Sequence, residues 1–102
     1  MIASCDADGT VKFWDIRTVS EIASIKLGPH PANKLVFDPS GKTLSVVSND
    51  GTLYFISTID KTMARSIHVS ESALHSLSFD KSGESLVTGS SGMFCKLLLI
   101  YM

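Results

Sequence analysis

The chain of 102 residues lacks the cysteine and histidine patterns of disulfide-rich and metal-binding proteins. Its two cysteines, Cys5 and Cys95, lie at opposite ends and form neither a C-x-x-C motif nor a zinc-ligand spacing. The three histidines, His30, His68 and His75, show no ligand spacing with them. We therefore expect no disulfide framework, no metal site and a reducing, cytoplasmic environment.

The sequence also lacks an excess of charge and a long hydrophobic run. Nine Lys and Arg residues stand against ten Asp and Glu residues, and the lysines are spread along the chain, so no nucleic-acid partner is predicted. The longest apolar run, 97–102, is far shorter than the roughly 20 residues that span a bilayer. Residues 1–5 lack the charged start and apolar core of a signal peptide. Because 44% of the residues are hydrophobic, we expect one small, soluble domain without a membrane partner.

Catalytic motifs are missing as well. No G-x-S-x-G elbow occurs, and the Gly89–Gly92 segment lacks the Lys and the following helix of a phosphate-binding loop. Asp8 and Asp50 could form an acid–base pair, but each precedes a glycine, where an aspartate side chain usually binds the local backbone. We therefore predict no catalytic residue, no cofactor and no enzymatic activity.

What the sequence does contain is an internal repeat of 42 residues. The segment 37–44 (FDPSGKTL) recurs as 79–86 (FDKSGESL), and Asp8-Gly9-Thr10 recurs as Asp50-Gly51-Thr52. The shared offset without gaps indicates stacked, structurally equivalent units.

Within each unit, short β-rich segments alternate with turn signals. Residues 38–41 (DPSG) fit a type I turn, and Asp-Gly at 8–9 and 50–51 favours hairpins with type I′ turns. Because the strand at 44–48 does not alternate cleanly, we expect sheets that are packed on both faces. We predict an all-β protein without helices, with strands at 2–5, 10–16, 22–27, 34–38, 43–48, 52–58, 63–69, 74–80, 85–90 and 94–101.

Residues 2–15 (IASCDADGTVKFWD) resemble the end of a WD40 repeat, whose period is about 40–45 residues and which closes on Trp-Asp, here Trp14-Asp15. The resemblance covers the whole chain in two and a partial units. It implies antiparallel four-stranded blades of a β-propeller, about two and a half of them, in an incomplete ring. The implied units are the end of one repeat (1–27), a second repeat (28–69) and a third, degenerate repeat (70–102). The residues that carry the repeat motif are Ser4, Asp8, Gly9, Trp14, Asp15, Asp50 and Gly51.

The sequence departs from the family pattern in two respects. The Gly-His dipeptide that opens typical repeats is missing, and Trp14 corresponds to Ile56 and then to Leu98. The buried hydrogen-bond set of regular repeats is therefore incomplete, and we expect Asp8, Ser4 and Trp14 to retain part of it. We expect Trp14 itself to pack in the core.

The resemblance implies a non-catalytic scaffold that binds other proteins. The chain is similar to the C-terminal repeats of axonemal WD-repeat proteins in the central apparatus of motile cilia and flagella, at residues 1–7, Trp14-Asp15, Ser24-Ile25, Gly28-Pro29, Pro31, Asn33 and Phe37-Asp38. A generic cytoplasmic adaptor of signalling or ubiquitin-ligase complexes is the alternative. A small β-fold enzyme or nucleotide binder is a distant one, because no convergent polar site is evident.

Two segments are candidates for contact with partners. The loop 28–33, with Gly28, Pro29, His30, Pro31 and Asn33, is stiffened by its prolines, although the same prolines could simply route the chain between blades. The apolar end 93–102 fits a buried third strand better than a partner groove or a lipid surface, although its Gly92-Met93-Phe94 replaces the tight turn. Because the remainder of a propeller would cover the blade faces and open edges, we expect the isolated chain to self-associate.

Overall fold

The computed structural model describes residues 1–82, 85–90 and 95–99. Their regular secondary structure is entirely β-strand, as predicted, and the bounds of the first nine strands agree with the predicted ones to within two residues. The strands are β1 (Ile2–Cys5), β2 (Thr10–Asp15), β3 (Ser20–Lys26), β4 (Ala32–Phe37), β5 (Thr43–Ser48), β6 (Thr52–Ser57), β7 (Thr62–His68), β8 (Leu74–Phe79), β9 (Ser85–Ser90) and β10 (Cys95–Leu99).

The strands form three antiparallel sheets in chain order, which we call blades 1, 2 and 3. Blade 1 has the order β1-β2-β3, blade 2 the order β4-β5-β6-β7, and the described strands of blade 3 the order β8-β9-β10. The pairing irregularities recur at the repeat offset, at Phe13/Trp14 and Phe55/Ile56, and again at Ala32/Lys34 and Leu74/Ser76. This arrangement is that of a partial, open β-propeller, and the predicted fold class is confirmed.

Two hydrophobic cores lie between successive blades. The first joins blade 1 to blade 2 and the second joins blade 2 to blade 3. Every residue of β5 is buried, which confirms the expectation of a sheet packed on both faces. The members of the first core are Val11, Phe13, Ala32, Leu44, Val46 and Ile56. Those of the second are Val47, Leu53, Phe55, Val69, Leu74, Leu77 and Leu86.

The predicted Asp-Gly hairpins are present, but the predicted type I′ turns are wrong. Gly9 and Gly51 have positive φ angles of 78° and 84°, whereas Asp8 and Asp50 do not. Each glycine is instead the fourth residue of its turn and donates its N–H to the carbonyl three residues earlier, as Gly41 does at 38–41. A type I turn that ends on a left-handed glycine needs a positive φ only at the glycine, so the preceding aspartate does not need one.

Trp14 differs from its expected position in the core. Its side chain is half-buried and belongs to neither hydrophobic cluster, while the equivalent Ile56 of blade 2 is fully buried. Its indole N–H donates to the Ser4 hydroxyl at 3.1 Å. The face of blade 1 that carries Trp14 has no preceding blade against it in the described part of the chain, and this explains the exposure.

The predicted last strand is present as β10, whose residues Cys95–Leu99 pair with β9. The suggested loss of the tight turn at 92–94 lies outside the described residues, as does the end of the apolar segment at 100–102.

Candidate interaction face

Two turns and two connections come together at one end of the blades, and we call this surface the loop face. It consists of the turns 6–9 and 48–51 and of the connections 27–31 and 69–73. The turns join β1 to β2 and β5 to β6. The connections follow β3 and β7, the strands paired with β2 and β6, so each connection begins beside a turn.

The connection 27–31 is fastened to the turn 6–9 at both of its ends. The Leu27 N–H donates to the Gly9 carbonyl at 2.8 Å, and the Ala32 N–H donates to the Asp6 carbonyl at 3.1 Å. Pro29 and Pro31 fix two φ angles between these anchors. The loop is therefore held in one conformation by backbone hydrogen bonds and ring constraints together.

The next blade repeats this attachment with the same offset. The N–H groups of Val69 and Ser70 donate to the Gly51 carbonyl at 2.9 and 3.2 Å. The Ser72 N–H then donates to the Ser70 hydroxyl at 3.0 Å, which closes the connection on itself. The connection 69–73 is thus the counterpart of 27–31 without the prolines.

Both turn glycines are required for this close approach. A Cβ atom on Gly9 would overlap the carbonyl oxygens of Gly28 and His30. A Cβ atom on Gly51 would overlap the Ser70 carbonyl and lie 2.8 Å from the Ser72 oxygen. The predicted motif residues Gly9 and Gly51 therefore set how tightly each connection packs on its turn.

Aspartates organise the turns, but the predicted pair Asp8 and Asp50 do so unequally. Asp50 accepts hydrogen bonds from the Ser48 hydroxyl and from the Thr52 N–H, the latter at 3.1 Å. Asp8 is exposed, and the corresponding acceptor in the first turn is Asp6, which binds the N–H groups of Asp8 and Thr10 at 2.9 and 3.1 Å. Sequence reasoning missed Asp6, although its position 42 residues before Ser48 could have indicated a first-position turn cap.

The electrostatics of the loop face centre on Asp50. Burial raises the pKa of Asp50, but its hydrogen bonds from Ser48 and Thr52 and the charge of His30 outweigh burial and hold it below the ordinary value. Burial and the neighbouring Asp50 carboxylate raise the pKa of Tyr54. The Asp50 carboxylate is thus bonded to residues of its own turn and stabilises that part of the loop face.

The residues of the predicted interaction loop differ in exposure and in secondary structure. Pro29 and His30 are exposed, Gly28 and Pro31 are half-buried, and Asn33 lies in β4 outside the loop. The Asn33 amide donates to the carbonyl of Leu74 at 2.8 Å and lies 3.4 Å from the Asn49 side-chain oxygen. Asn33 therefore connects blade 2 to the first residue of β8, and Pro29 and His30 form the accessible part of the loop.

The remaining motif residues lie away from the loop face. Ser4 and Trp14 form the hydrogen bond described above, and Asp8 takes no part in it. Asp15 ends β2 and accepts the Arg17 N–H at 2.9 Å, which organises the turn into β3 at the opposite end of the blade.

Reactive groups are sparse among the residues that the structure describes. Cys5, which is half-buried, donates weakly to the Ala32 carbonyl at 3.5 Å, and burial together with the Asp6 charge raises the pKa of its thiol. Within these ranges, no three His, Cys, Asp or Glu side chains are grouped so as to hold a metal ion. The same part of the chain contains no helix with the length and hydrophobicity needed to cross a membrane.

Comparison with protein-family models gives a match at the start of the chain. The family model "WD domain, G-beta repeat" of the WD40 family matches residues 1–15, the segment that contains β1, the first turn and β2. No curated protein matches the chain. WD40 repeats generally serve as non-catalytic scaffolds for protein–protein interactions, and the matched segment of this chain is similar to such a repeat.

Proposed function

We propose that this chain is a propeller segment that binds a partner protein through the exposed residues of the connection 27–31, within the axoneme of cilia or flagella. The observation that carries the loop assignment is its fastening at both ends to the turn 6–9, by the 2.8 Å and 3.1 Å backbone hydrogen bonds. In the same proposal, the repeat units are 1–27, 28–69 and 70–102.

Rigidity makes this loop suitable for recognition. A flexible loop loses conformational entropy when a partner orders it, whereas a loop already fixed by two prolines and two anchoring hydrogen bonds loses little. Pro29 and His30 project from it as exposed side chains. They offer an apolar ring and a hydrogen-bonding ring side by side, which suits a protein surface of mixed polarity.

The axonemal assignment rests on the resemblance of the Gly28-Pro29-x-Pro31 segment to axonemal WD-repeat proteins. The connection between blades 1 and 2 also differs from the equivalent connection between blades 2 and 3, because the connection 69–73 has no proline. A partner that occurs only in the axoneme would recognise the two prolines, which the equivalent connection does not have.

The test is co-sedimentation of the purified chain with demembranated axonemes. We expect the wild-type chain to sediment with them and the double variant Pro29→Ala, His30→Ala to bind at least about tenfold more weakly, equivalent to about 1.4 kcal/mol. The matched control is Ile59→Ala, Asp60→Ala, an exposed pair in the turn at the opposite end of blade 2.

Each outcome bears on a different part of the proposal. Equal binding of both double variants would exclude the loop as the contact. Failure of the wild-type chain to sediment would exclude the axonemal location and favour the cytoplasmic adaptor.

A further inference from the structure

The dipeptide Asp-Gly occurs twice in this chain, in two turns that are equivalent in the repeat. Asp8-Gly9 lies in the turn 6–9 and Asp50-Gly51 in the turn 48–51, and a threonine follows each glycine. In both turns the glycine is buried, has a positive φ and donates its N–H at 3.2 Å to the carbonyl three residues earlier. The two dipeptides thus have the same following residue and the same backbone arrangement.

The two aspartate side chains differ in what holds them. The Asp50 carboxylate accepts hydrogen bonds from the Ser48 hydroxyl and from the Thr52 N–H, the latter at 3.1 Å. Rotation of this carboxylate is therefore restrained by two donors of its own turn.

Asp8 has neither of these donors, because Asp6 stands where the second turn has its serine. Asp6 is equivalent to Ser48 and is a carboxylate, which only accepts hydrogen bonds. Asp6 also accepts the Thr10 N–H at 3.1 Å, in place of Asp8. Among the residues that the structure describes, none donates a hydrogen bond to the exposed Asp8 carboxylate. The difference is local, since it is set within each turn and the threonine after it.

A free aspartic acid side chain next to a glycine nitrogen reacts with it to form a ring. The backbone nitrogen of Gly9 attacks the Cγ carbon of Asp8, and the new C–N bond closes a five-membered succinimide. The carboxylic acid loses its hydroxyl and the amide loses its proton, and the two leave together as one water. Glycine favours this closure because it has no Cβ atom to obstruct the approach.

Hydrolysis of the succinimide gives two products. A water adds to one of the two ring carbonyl carbons and breaks the bond from that carbon to nitrogen. Opening at Cγ restores aspartate, whereas opening at the backbone carbonyl carbon of Asp8 leaves the main chain running through Cβ and Cγ. The second product is isoaspartate, which has one more methylene group in the main chain, and the conversion consumes no oxidant and no cofactor.

We propose that Asp8 is a site of spontaneous isomerisation to isoaspartate, and that the equivalent Asp50 is protected by the hydrogen bonds of its own turn. At both sites the glycine N–H must first leave a hydrogen bond of 3.2 Å, so this requirement cancels between them. What remains is the release of the carboxylate, which Asp50 requires and Asp8 does not.

Isomerisation at Asp8 also acts on the connection 27–31. The added methylene displaces Gly9, whose carbonyl accepts the Leu27 N–H at 2.8 Å. The neighbouring backbone packs so closely here that a Cβ atom on Gly9 would overlap two carbonyl oxygens of the connection. We therefore expect isoaspartate to loosen this end of the connection. The isomerisation itself does not depend on what the connection binds.

The test follows both sites in the purified chain during incubation at physiological pH and temperature. Mass spectrometry with electron-transfer fragmentation locates isoaspartate in proteolytic peptides, and methyl transfer from labelled S-adenosylmethionine by a protein isoaspartyl methyltransferase counts it. We expect Asp8 to isomerise at least about tenfold faster than Asp50, equivalent to about 1.4 kcal/mol of activation free energy. In concentrated urea, where neither turn is formed, the two rates should approach each other. Equal rates at the two sites in the folded chain would overturn the proposal.

Reciprocal substitutions test the cause of the difference. Asp6→Ser gives the first turn the serine of the second, and we expect it to slow isomerisation of Asp8 towards the Asp50 rate. Ser48→Ala removes the hydroxyl donor and should accelerate isomerisation of Asp50, with Asp8 in the same molecule as the control. Unchanged far-UV circular dichroism spectra show that the variants are folded. Rates that respond to neither substitution would refute protection by the turn.

Amide hydrogen exchange, followed by NMR, tests the effect on the connection. The isoaspartate form is separated from the unmodified chain by ion-exchange chromatography, and the Leu27 amide should exchange in it at least about tenfold faster. The matched control is the Val69 amide, which donates to the Gly51 carbonyl at 2.9 Å in the other turn and should keep its rate. Equal exchange of Leu27 in the two forms would overturn the proposed loosening.

Discussion

Substituting the turn glycines separates backbone strain from loop packing. Gly41 and Gly51 occupy equivalent places in type I turns, with φ angles of 76° and 84°. A Cβ atom on Gly41 would meet nothing within 4 Å, whereas one on Gly51 would overlap the Ser70 carbonyl. Gly41→Ala therefore introduces the conformational penalty alone, and Gly51→Ala introduces the same penalty plus displacement of the connection 69–73.

The magnitudes follow from these contacts. A left-handed conformation costs an L-residue about 1–2 kcal/mol, and this is the expected loss for Gly41→Ala. Moving Ser70 away would also weaken the hydrogen bonds from the Val69 and Ser70 N–H groups to the Gly51 carbonyl, each worth about 1 kcal/mol. Gly51→Ala should thus lose about 3–4 kcal/mol, a large part of the roughly 5–15 kcal/mol that stabilises a small domain.

Equilibrium unfolding in urea, followed by far-UV circular dichroism, measures the difference between the two variants. Gly9→Ala is an internal replicate, because its Cβ atom would overlap the carbonyl oxygens of Gly28 and His30. The free energies of unfolding of Gly9→Ala and Gly51→Ala should fall together, well below that of Gly41→Ala. Equal losses at all three positions would refute the claim that the connections pack directly on the turns.

Three further changes probe single contacts by the same unfolding measurement. Trp14→Ala should lose about 2 kcal/mol, roughly half the loss of a buried aromatic residue, and Trp14→Phe less than about 1 kcal/mol, because the indole bond to Ser4 is exposed. Asn33→Asp should lose about 1 kcal/mol or more, since a carboxylate does not donate to the carbonyl at the start of β8. The pKa of Asp50 is lowered in the folded state, so its contribution to the free energy of unfolding is present above the unfolded value near 3.8 and is lost as the pH falls through the folded pKa. In Asp50→Asn this part of the acid destabilisation should be absent. An acid unfolding profile equal to that of the wild type would contradict the assignment.

The strand pattern could be predicted because each strand is bounded by residues that end it. Pro39 and the turn glycines Gly9, Gly41 and Gly51 interrupt the β-rich segments, so the bounds beside them follow from local chemistry. The turn 16–19 contains neither residue type, and there β3 begins two residues earlier than predicted. The turn type could not be predicted from the Asp-Gly pair. Gly9 takes the left-handed conformation in either type of turn, and the difference lies in whether the preceding Asp8 also does so.

The candidate site was predictable only to the level of the loop. The prolines of Gly28-Pro29-x-Pro31 indicate a stiff connection, but its fastening to Gly9 and Asp6 depends on a turn that lies 18 and 26 residues before the two anchoring N–H groups. Asn33 was assigned to this loop because it follows the prolines, whereas β4 already begins at Ala32. Its role depends on Leu74, which the repeat brings close only after the third blade has packed.

Trp14 shows why a repeat motif predicts the fold better than it predicts burial. The residue lies in its expected strand, and its indole N–H donates to Ser4, whereas Asp8, which was expected in the same hydrogen-bond set, takes no part. Its burial is a property of the neighbouring blade, because the face of a blade that carries this position becomes core only when another blade packs on it. Ile56 is buried by blade 1, whereas no other blade packs on Trp14 in the described part of the chain.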